Sequence, residues 1–150
     1  MTQNTGFTHV SPHKILYKKK LYPTALHLLE AMKFLGRRND LAERVRLTER
    51  VPDLLALTEE LEGQVRRDWP DIMESKMEEV LYMKFRQHPD LRQLLMETND
   101  AELIYDEEGD SFWGVGVQGQ GANRLGQALH NVRERLRREG AGRSFGLGRG

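Results

Sequence analysis

Apolar side chains recur every three or four residues along most of this chain, which is the spacing of helices with one buried face. The longest stripe runs from Ile72 to Phe85, after the helix-starting residues Asp68 and Pro70 and before the helix-ending pair His88-Pro89. Residues that start or end helices divide the remaining pattern in the same way. The predicted helices cover approximately residues 24–35, 39–49, 52–67, 68–88, 90–95 and 124–136.

Two short stretches favour β structure instead. Ile15–Tyr17 and Leu21–Tyr22 are apolar and aromatic, and the three lysines between them are placed at a hairpin turn. Residues 102–105 predict a further strand, followed by a turn. The elements together predict a predominantly helical α+β fold with a small β-sheet and several surrounding helices.

With 150 residues, the chain is long enough for one hydrophobic core and short for two domains. Its Gly-rich end, from Gly140 onward, has too few apolar groups to offset the entropy of ordering it. The sequence therefore predicts a flexible N-terminus over residues 1–6, a single domain over residues 7–138 and a flexible tail over residues 139–150.

Composition narrows the classes of function. The chain has 23 basic and 23 acidic residues and no cysteine, so it has no net charge to attract nucleic acid or an anionic membrane, and no disulfide or thiolate chemistry. No apolar run reaches the length of a membrane span, and the N-terminus lacks a signal-peptide core. We expect a soluble, cytoplasmic protein with no membrane partner.

Several chemistries have no counterpart in the sequence. None of the five histidines forms the i, i+4 pair with a neighbouring acid that a helical zinc site uses. None of the four serines lies in a nucleophile elbow, so the sequence does not favour a Ser-His-Asp hydrolase. The sequence predicts no catalytic metal.

The segment from Asp110 to Gly126, DSFWGVGVQGQGANRLG, concentrates aromatic, acidic and glycine residues before the last helix. Glycine lets a backbone approach a ligand closely, and Asn123 suits the N-cap of the last helix. The segment therefore predicts a possible anion site at the first amides of that helix. The letters Gly-x-Gly-x-x-Gly lack a βαβ unit, so we reject a dinucleotide fold. A glycine-rich turn with no ligand is the alternative.

His27, Glu30 and Lys33 follow one another at spacings of three on the first predicted helix. They form either a solvated face with one weak ion pair or, if Lys33 is buried, a site at which the amine attacks a carbonyl carbon. Trp69, in RRDWPD, is either a core anchor or a stacking platform beside a ligand. Spacing alone does not choose between these alternatives.

Five motifs occur in the order FTHVSPHKILY, YPTALHLLEAMKF, RRDWPD, KMEEVLYMKFRQHPDLRQLLMET and DSFWGVGVQGQGANRLG. In this order they resemble the NADAR family, which is named for its link to NAD and ADP-ribose metabolism, over about residues 7–136. The resemblance implies an N-glycosidase that cleaves the bond between a ribose carbon and a nitrogen, in a riboflavin-pathway ribosylaminopyrimidine phosphate or on ADP-ribosylated guanine. It implies no metal and no cofactor.

The resemblance also implies roles for individual residues. Lys33 matches the residue proposed to trap the opened ribose as a Schiff base, and Trp69, Asp110 and Trp113 match positions around the ligand. Glu30, one helical turn from Leu26, or Asp110 would act as the acid-base partner in place of the family glutamate. The implied partner is a phosphorylated ribosyl or ADP-ribose-like small molecule, and ADP-ribosylated nucleic acid is a second possibility. We expect Gly119 to Asn123 to hold phosphate. The residues expected around the ligand are His27, Trp69, Phe112, Trp113, Gly114, Gly119, Gly121 and Asn123.

Two positions depart from the family pattern. Leu26 stands where the family has a glutamate, and His9 stands where it has an asparagine. Leucine can neither stabilise the positive charge that develops on the ribose nor move a proton. The alternative to an active enzyme is therefore a catalytically impaired member that binds ADP-ribose or a related nucleotide without turnover. A nucleic-acid-binding protein that uses basic clusters such as Lys18–Lys20 is a weaker alternative, because the net charge is zero.

Overall fold

The computed structural model of the chain describes residues 5–107, 110, 112–116 and 121–147. Contacts divide it into two compact units, Thr8–His88 on the one hand and Met1–Phe7 with Pro89–Gly150 on the other. In the described residues, helices dominate and one small sheet is present, which confirms the predicted α+β class. The elements are β1 (Ile15–Tyr17), β2 (Lys20–Tyr22), α1 (Ala25–Ala31), α2 (Asn39–Leu47), α3 (Val51–Glu60), α4 (Trp69–Gln87), α5 (Pro89–Glu97) and α6 (Arg124–Leu147).

The first unit begins with the predicted hairpin. Strands β1 and β2 pair antiparallel, with Ile15 opposite Tyr22 and Tyr17 opposite Lys20. Lys20 belongs to β2, so the turn consists of Lys18 and Lys19, whose φ angles are 49° and 68°. Two consecutive positive φ angles are typical of the tight turns that match the twist of a hairpin, although side chains other than glycine and asparagine seldom adopt them.

Helix α1 is the centre of this unit, since all seven of its residues are buried. It packs against α2 and α4. The apolar stripe of α4 closes the core from Met77 to Phe85, whereas Ile72 and Met73 at its start are half-buried. The unit therefore buries one complete helix, including any polar side chain that this helix carries.

Helix α1 ends earlier than the sequence predicted. Thr24 is the N-cap, as expected, and its hydroxyl accepts a hydrogen bond from the His27 amide. After Ala31 the chain tightens into turns, in which the Lys33 amide donates to the carbonyl of Glu30, three residues back, instead of the carbonyl four residues back that an α-helix uses. Gly36, with a φ of 83°, completes the reversal. Lys33 therefore lies in the turn that follows the helix.

Lys84 of α4 is a fully buried cation. Its ammonium group donates to the Thr8 carbonyl and to the Ser11 hydroxyl, both at 2.6 Å, and Ser11 is hydrogen-bonded in turn to the His13 ring. Burial lowers the pKa of Lys84 to about 7. Burial of the His13 ring, with smaller contributions from the charges of Lys84 and His88, lowers the pKa of His13. Lys84 thus anchors the segment that leads to the hairpin.

We predict that the free energy of unfolding rises with pH above about pH 7, because the unfolded state then binds a proton that the folded Lys84 has lost. The slope contributed by one such proton is at most about 1.4 kcal/mol per pH unit, and the window closes at the ordinary lysine pKa of 10.5. Urea unfolding at several pH values between about pH 7 and about pH 9 measures the slope.

The matched variants are Lys84→Met, which should lose this slope, and Lys76→Met, an ion-paired lysine on the same helix, which should keep it. The ordinary histidine pKa of 6.5 and its lowered value at His13 both lie below this window, so His13 does not mimic the effect. An equal slope in Lys84→Met and the wild type would contradict the prediction.

In the second unit, α6 supplies the main apolar face, which consists of Leu125, Ala128, Leu129, Val132 and Leu136. Arg133, which is 2% exposed, donates to the Thr98 hydroxyl and the Ala101 carbonyl. The helix continues through Leu147, beyond the point at which the sequence predicted a tail. The flexibility of the tail and of the N-terminus stays a prediction, and residues 1–4 and 148–150 lie outside the described part.

The strand predicted over residues 102–105 is reduced to an isolated bridge residue, Leu103. The Asn123 side chain also holds this segment, because its carbonyl oxygen accepts from the Tyr105 amide at 2.9 Å and its amide group donates to the Leu103 carbonyl at 3.1 Å. Asn123 itself has a φ of 49°. A single side chain therefore fixes this extended segment to the start of α6.

Gly126 allows this close approach. A Cβ atom at residue 126 would overlap the Leu103 carbonyl oxygen and the Asn123 side chain. We predict that Gly126→Ala lowers the free energy of unfolding by about 2 kcal/mol, because the overlap outweighs the gain of about 1 kcal/mol that alanine normally brings to a helix. At Gly140, on the same helix, a Cβ would have no atom within 4 Å, so Gly140→Ala should be neutral or stabilising in the same urea titration. Equal effects of the two substitutions would contradict this prediction.

Candidate functional site

The polar row of α1 is not a solvated face. His27 is completely buried, Glu30 is 9% exposed and the side chain of Lys33 is 18% exposed. The solvated alternative, which spacing left open, is therefore excluded. Buried polar groups must find partners, and the partners of these three side chains differ.

Both ring nitrogens of His27 are hydrogen-bonded to groups of the protein. Its Nε2 lies 2.5 Å from the Thr48 carbonyl oxygen, and its Nδ1 lies 2.8 Å from the Thr24 hydroxyl. Because a carbonyl only accepts, Nε2 carries the proton and the Thr24 hydroxyl donates to Nδ1. Burial lowers the pKa of His27, which keeps the ring neutral. This arrangement ties α1 to the end of α2, and direct contact of His27 with a substrate stays a prediction.

Lys33, Glu30 and Trp69 form a compact group. The Lys33 ammonium lies 2.5 Å from a Glu30 carboxylate oxygen and 5.8 Å from the centre of the Trp69 ring. Trp69, which is 8% exposed, is the first residue of α4. A lysine nitrogen, a carboxylate that can exchange a proton with it and an aromatic surface are thus brought together in one unit.

The two positions expected to depart from the family motif are neighbours. The Leu26 amide donates to the His9 carbonyl at 2.8 Å, and both residues are 5% exposed. Leu26 precedes Glu30 by four residues on α1, so the two side chains lie one helical turn apart on one face. Glu30 is therefore the nearest carboxylate along the helix to the position where a glutamate was expected.

In the other unit, Asp110 closes a turn. One of its carboxylate oxygens accepts from the Phe112 amide at 3.0 Å and from the Trp113 amide at 2.7 Å. The two aromatic rings meet edge to face, with their centres 4.8 Å apart. Gly114 is buried where a Cβ would come within 2.7 Å of the Tyr105 carbonyl oxygen. Asp110 thus orders the aromatic pair, and its role as an acid or base stays a prediction.

The first amides of α6 are already engaged. The amides of Asn123, Arg124 and Leu125 donate to the carbonyls of residues 114, 112 and 113, each at 2.9 Å. Asn123 therefore does not cap the helix with its side chain, and the anion site predicted at these amides has lost these three donors. The Gly121 amide bonds to the Val115 carbonyl, and Gly119 lies outside the described residues.

Sequence reasoning missed a cleft beside the lysine. A cavity of about 780 Å³ lies between the turn after α1 and the segment that precedes α4. The sequence does show two pairs of adjacent arginines, at residues 37–38 and 66–67, but such pairs are common on solvated surfaces. The lining residues are Leu35, Gly36, Arg37, Gly63, Gln64, Val65, Arg66, Arg67 and Asp68.

The NADAR domain matches residues 2–137, and the chain belongs to this family. It is 33% identical to an N-glycosidase of Nostoc punctiforme over 132 residues, covering 87% of this chain and 85% of that protein. It is 33% identical to N-glycosidase YbiA of Escherichia coli over 130 residues, covering 87% of this chain and 80% of that protein. A riboflavin biosynthesis protein of Vibrio vulnificus is 35% identical over 135 residues, which are 89% of this chain and 36% of that protein.

The fold is similar as well. The NMR structure of Escherichia coli YbiA superposes with a TM-score of 0.77 at 32% identity, covering 91% of this chain and 80% of that chain. The resemblance stated from the motifs is confirmed by these matches. Within the described residues, no helix is long and apolar enough to cross a membrane.

Proposed function

We propose that this protein is an N-glycosidase that cleaves the bond between a ribose carbon and a base nitrogen in a phosphorylated, nucleotide-like substrate. The observation that carries the proposal is the contact of Lys33 with Glu30 beside Trp69. Family membership and the relatives named as N-glycosidases support the same reaction class. The relative named as a riboflavin biosynthesis protein supports a ribosylaminopyrimidine phosphate as substrate.

The proposed reaction begins with a proton transfer. Glu30 takes a proton from the Lys33 ammonium, and the free amine attacks the anomeric carbon of the ribose while the carbon–nitrogen bond to the base breaks. The protonated carboxyl group returns the proton to the leaving nitrogen. The sugar ring then opens as the ring oxygen leaves the anomeric carbon and takes a proton from the attached Lys33 nitrogen, which forms the Schiff base. Water hydrolyses the Schiff base to release the ribose phosphate and the free lysine amine.

The remaining predicted residues have positioning roles in this proposal. Trp69 would stack on the base or ribose, because its ring already lies beside the amine. The ligand-binding roles expected for Phe112, Trp113, Gly114, Gly119, Gly121 and Asn123 stay predictions. Asp110 is the alternative acid-base residue, and a cytosolic location belongs to the proposal.

A family member that binds nucleotides without turnover is the alternative left open by Leu26. The comparisons do not favour it, because the relatives that match most of the chain are named as N-glycosidases. The buried carboxylate of Glu30 in contact with Lys33 gives a further reason to prefer catalysis, since one acid-base group is present.

The test is base release, followed by chromatography, from the ribosylaminopyrimidine phosphate and from ADP-ribosylated guanosine. We expect the wild-type protein to release the base from at least one of them. Circular dichroism on the same sample establishes that the protein is folded. Absence of release from both substrates by folded protein would contradict the proposed function.

A further inference from the structure

The cleft that sequence reasoning missed carries a net positive charge. Its lining has three arginines, Arg37, Arg66 and Arg67, and one acidic residue, Asp68. Asp68 is already satisfied by Arg66, whose Nε and Nη2 lie 2.6 Å and 2.9 Å from its two carboxylate oxygens. Within the described residues, Arg37 and Arg67 form no ion pair with a carboxylate. Two guanidinium groups are thus left to attract an anion.

The two arginines differ in how firmly they are held. Arg37 donates to the Gln64 carbonyl at 2.5 Å and to the Lys33 carbonyl at 3.4 Å, so its position is fixed. Arg67 is exposed and makes no hydrogen bond or ion pair with another described residue. A guanidinium group without a partner is free to form a charge-assisted hydrogen bond with a ligand.

The cleft is attached to the proposed catalytic group. The Arg66 amide donates to the Lys33 carbonyl at 3.3 Å, and the Arg37 guanidinium group donates to the same carbonyl from the other wall. The last lining residue, Asp68, is followed directly by Trp69, whose ring lies beside the Lys33 ammonium. A ligand whose ribose reaches Lys33 therefore lies close to these arginines.

We propose that this arginine cleft binds the phosphate ester of the substrate, so that the ribose is held between the cleft and Lys33. A phosphate monoester carries nearly two negative charges at neutral pH, which matches the two arginines that lack an ion-pair partner. The volume of about 780 Å³ is within the range of small-molecule sites. The inference rests on the proposed function, which supplies the phosphorylated substrate. Its test by ligand binding does not require that the protein has this activity.

The direct test is a calorimetric titration with ribose 5-phosphate, which needs no turnover. The informative variant is Arg67→Gln, because Arg67 is exposed and its replacement removes no contact of the fold. The matched control is Arg50→Gln, another exposed arginine of the same unit that does not line the cleft. We expect Arg67→Gln to bind about 10-fold more weakly than the wild type and Arg50→Gln to bind like the wild type.

Three results would overturn the inference. The first is no binding of ribose 5-phosphate to the wild type at millimolar concentration, and the second is equal weakening by Arg67→Gln and Arg50→Gln. The third concerns the source of the phosphate. If a single-stranded deoxyoligonucleotide binds in a way that depends on Arg67, and ribose 5-phosphate does not bind, the cleft is a site for a polynucleotide.

A kinetic measurement separates this inference from the proposed function. With phosphorylated and dephosphorylated forms of one substrate, Arg67→Gln should lower the preference for the phosphorylated form about 10-fold, mainly through KM. An unchanged preference in an active enzyme would overturn the phosphate site alone. Arg67-dependent binding of ribose 5-phosphate without any base release would leave the phosphate site standing and overturn the proposed function.

Discussion

Replacing Lys33 by alanine is expected to lower kcat for base release by at least about 10³-fold, because the variant lacks the nitrogen that we propose attacks the ribose. Lys33→Arg should be equally inactive, since it keeps the positive charge but not a usable nucleophile. Reduction with cyanoborohydride during turnover should attach the ribosyl group to Lys33 in the wild type, which mass spectrometry of the digested protein detects.

The chain contains a matched control for this substitution. Lys76 and Glu79 form an ion pair of 3.0 Å at the same sequence spacing as Glu30 and Lys33, but on the more exposed surface of α4. Lys76→Ala should therefore retain wild-type kcat. If Lys33→Ala stays active, or if reduction labels no lysine, the Schiff-base mechanism is wrong.

Replacing Glu30 by glutamine is expected to lower kcat by about 10²- to 10⁴-fold, which is the usual contribution of a general acid or base. Glutamine has nearly the same volume, so it preserves packing around the buried side chain while it removes proton transfer. Glu79→Gln is the corresponding control, because it removes a carboxylate from an exposed ion pair of the same type. The measurement is the pH profile of kcat for both variants.

Leu26 offers a way to confirm this role by rescue. Introducing Leu26→Glu into the Glu30→Gln variant places a carboxylate one helical turn away on the same face of α1. We expect part of the lost rate to return, with an altered pH profile, because a second carboxylate then serves the same ribose. A Glu30→Gln variant with wild-type rate would instead move the acid-base role to Asp110.

The helices were predictable because their signals are local. The stripe of α4 and the residues that flank it place both of its ends, and Thr24 caps α1 as its side chain predicts. The segment at residues 102–105 was predicted less well, because only Leu103 forms a bridge and Asn123 holds the segment through contacts about 20 residues away along the chain. Such a contact depends on tertiary structure, which periodicity does not report.

The same distinction applies to the candidate site. The motifs identified Lys33, Glu30 and Trp69, but spacing could not decide whether their helix is exposed, because that depends on α2 and α4 covering it. The arginine cleft was harder to foresee. Its walls come from two segments almost 30 residues apart, and neither has a pattern that differs from an ordinary basic surface.

The hydrogen bond from the Leu26 amide to the His9 carbonyl has a consequence for how this site can vary. This hydrogen bond joins two backbone segments of the same chain, so either residue can carry another side chain without losing the bond. The backbone can keep its course while both side chains are exchanged, within the limits of the buried volume. These neighbouring positions thus form an exchangeable pair within a constant frame, in which the side-chain chemistry can change while the backbone stays in place.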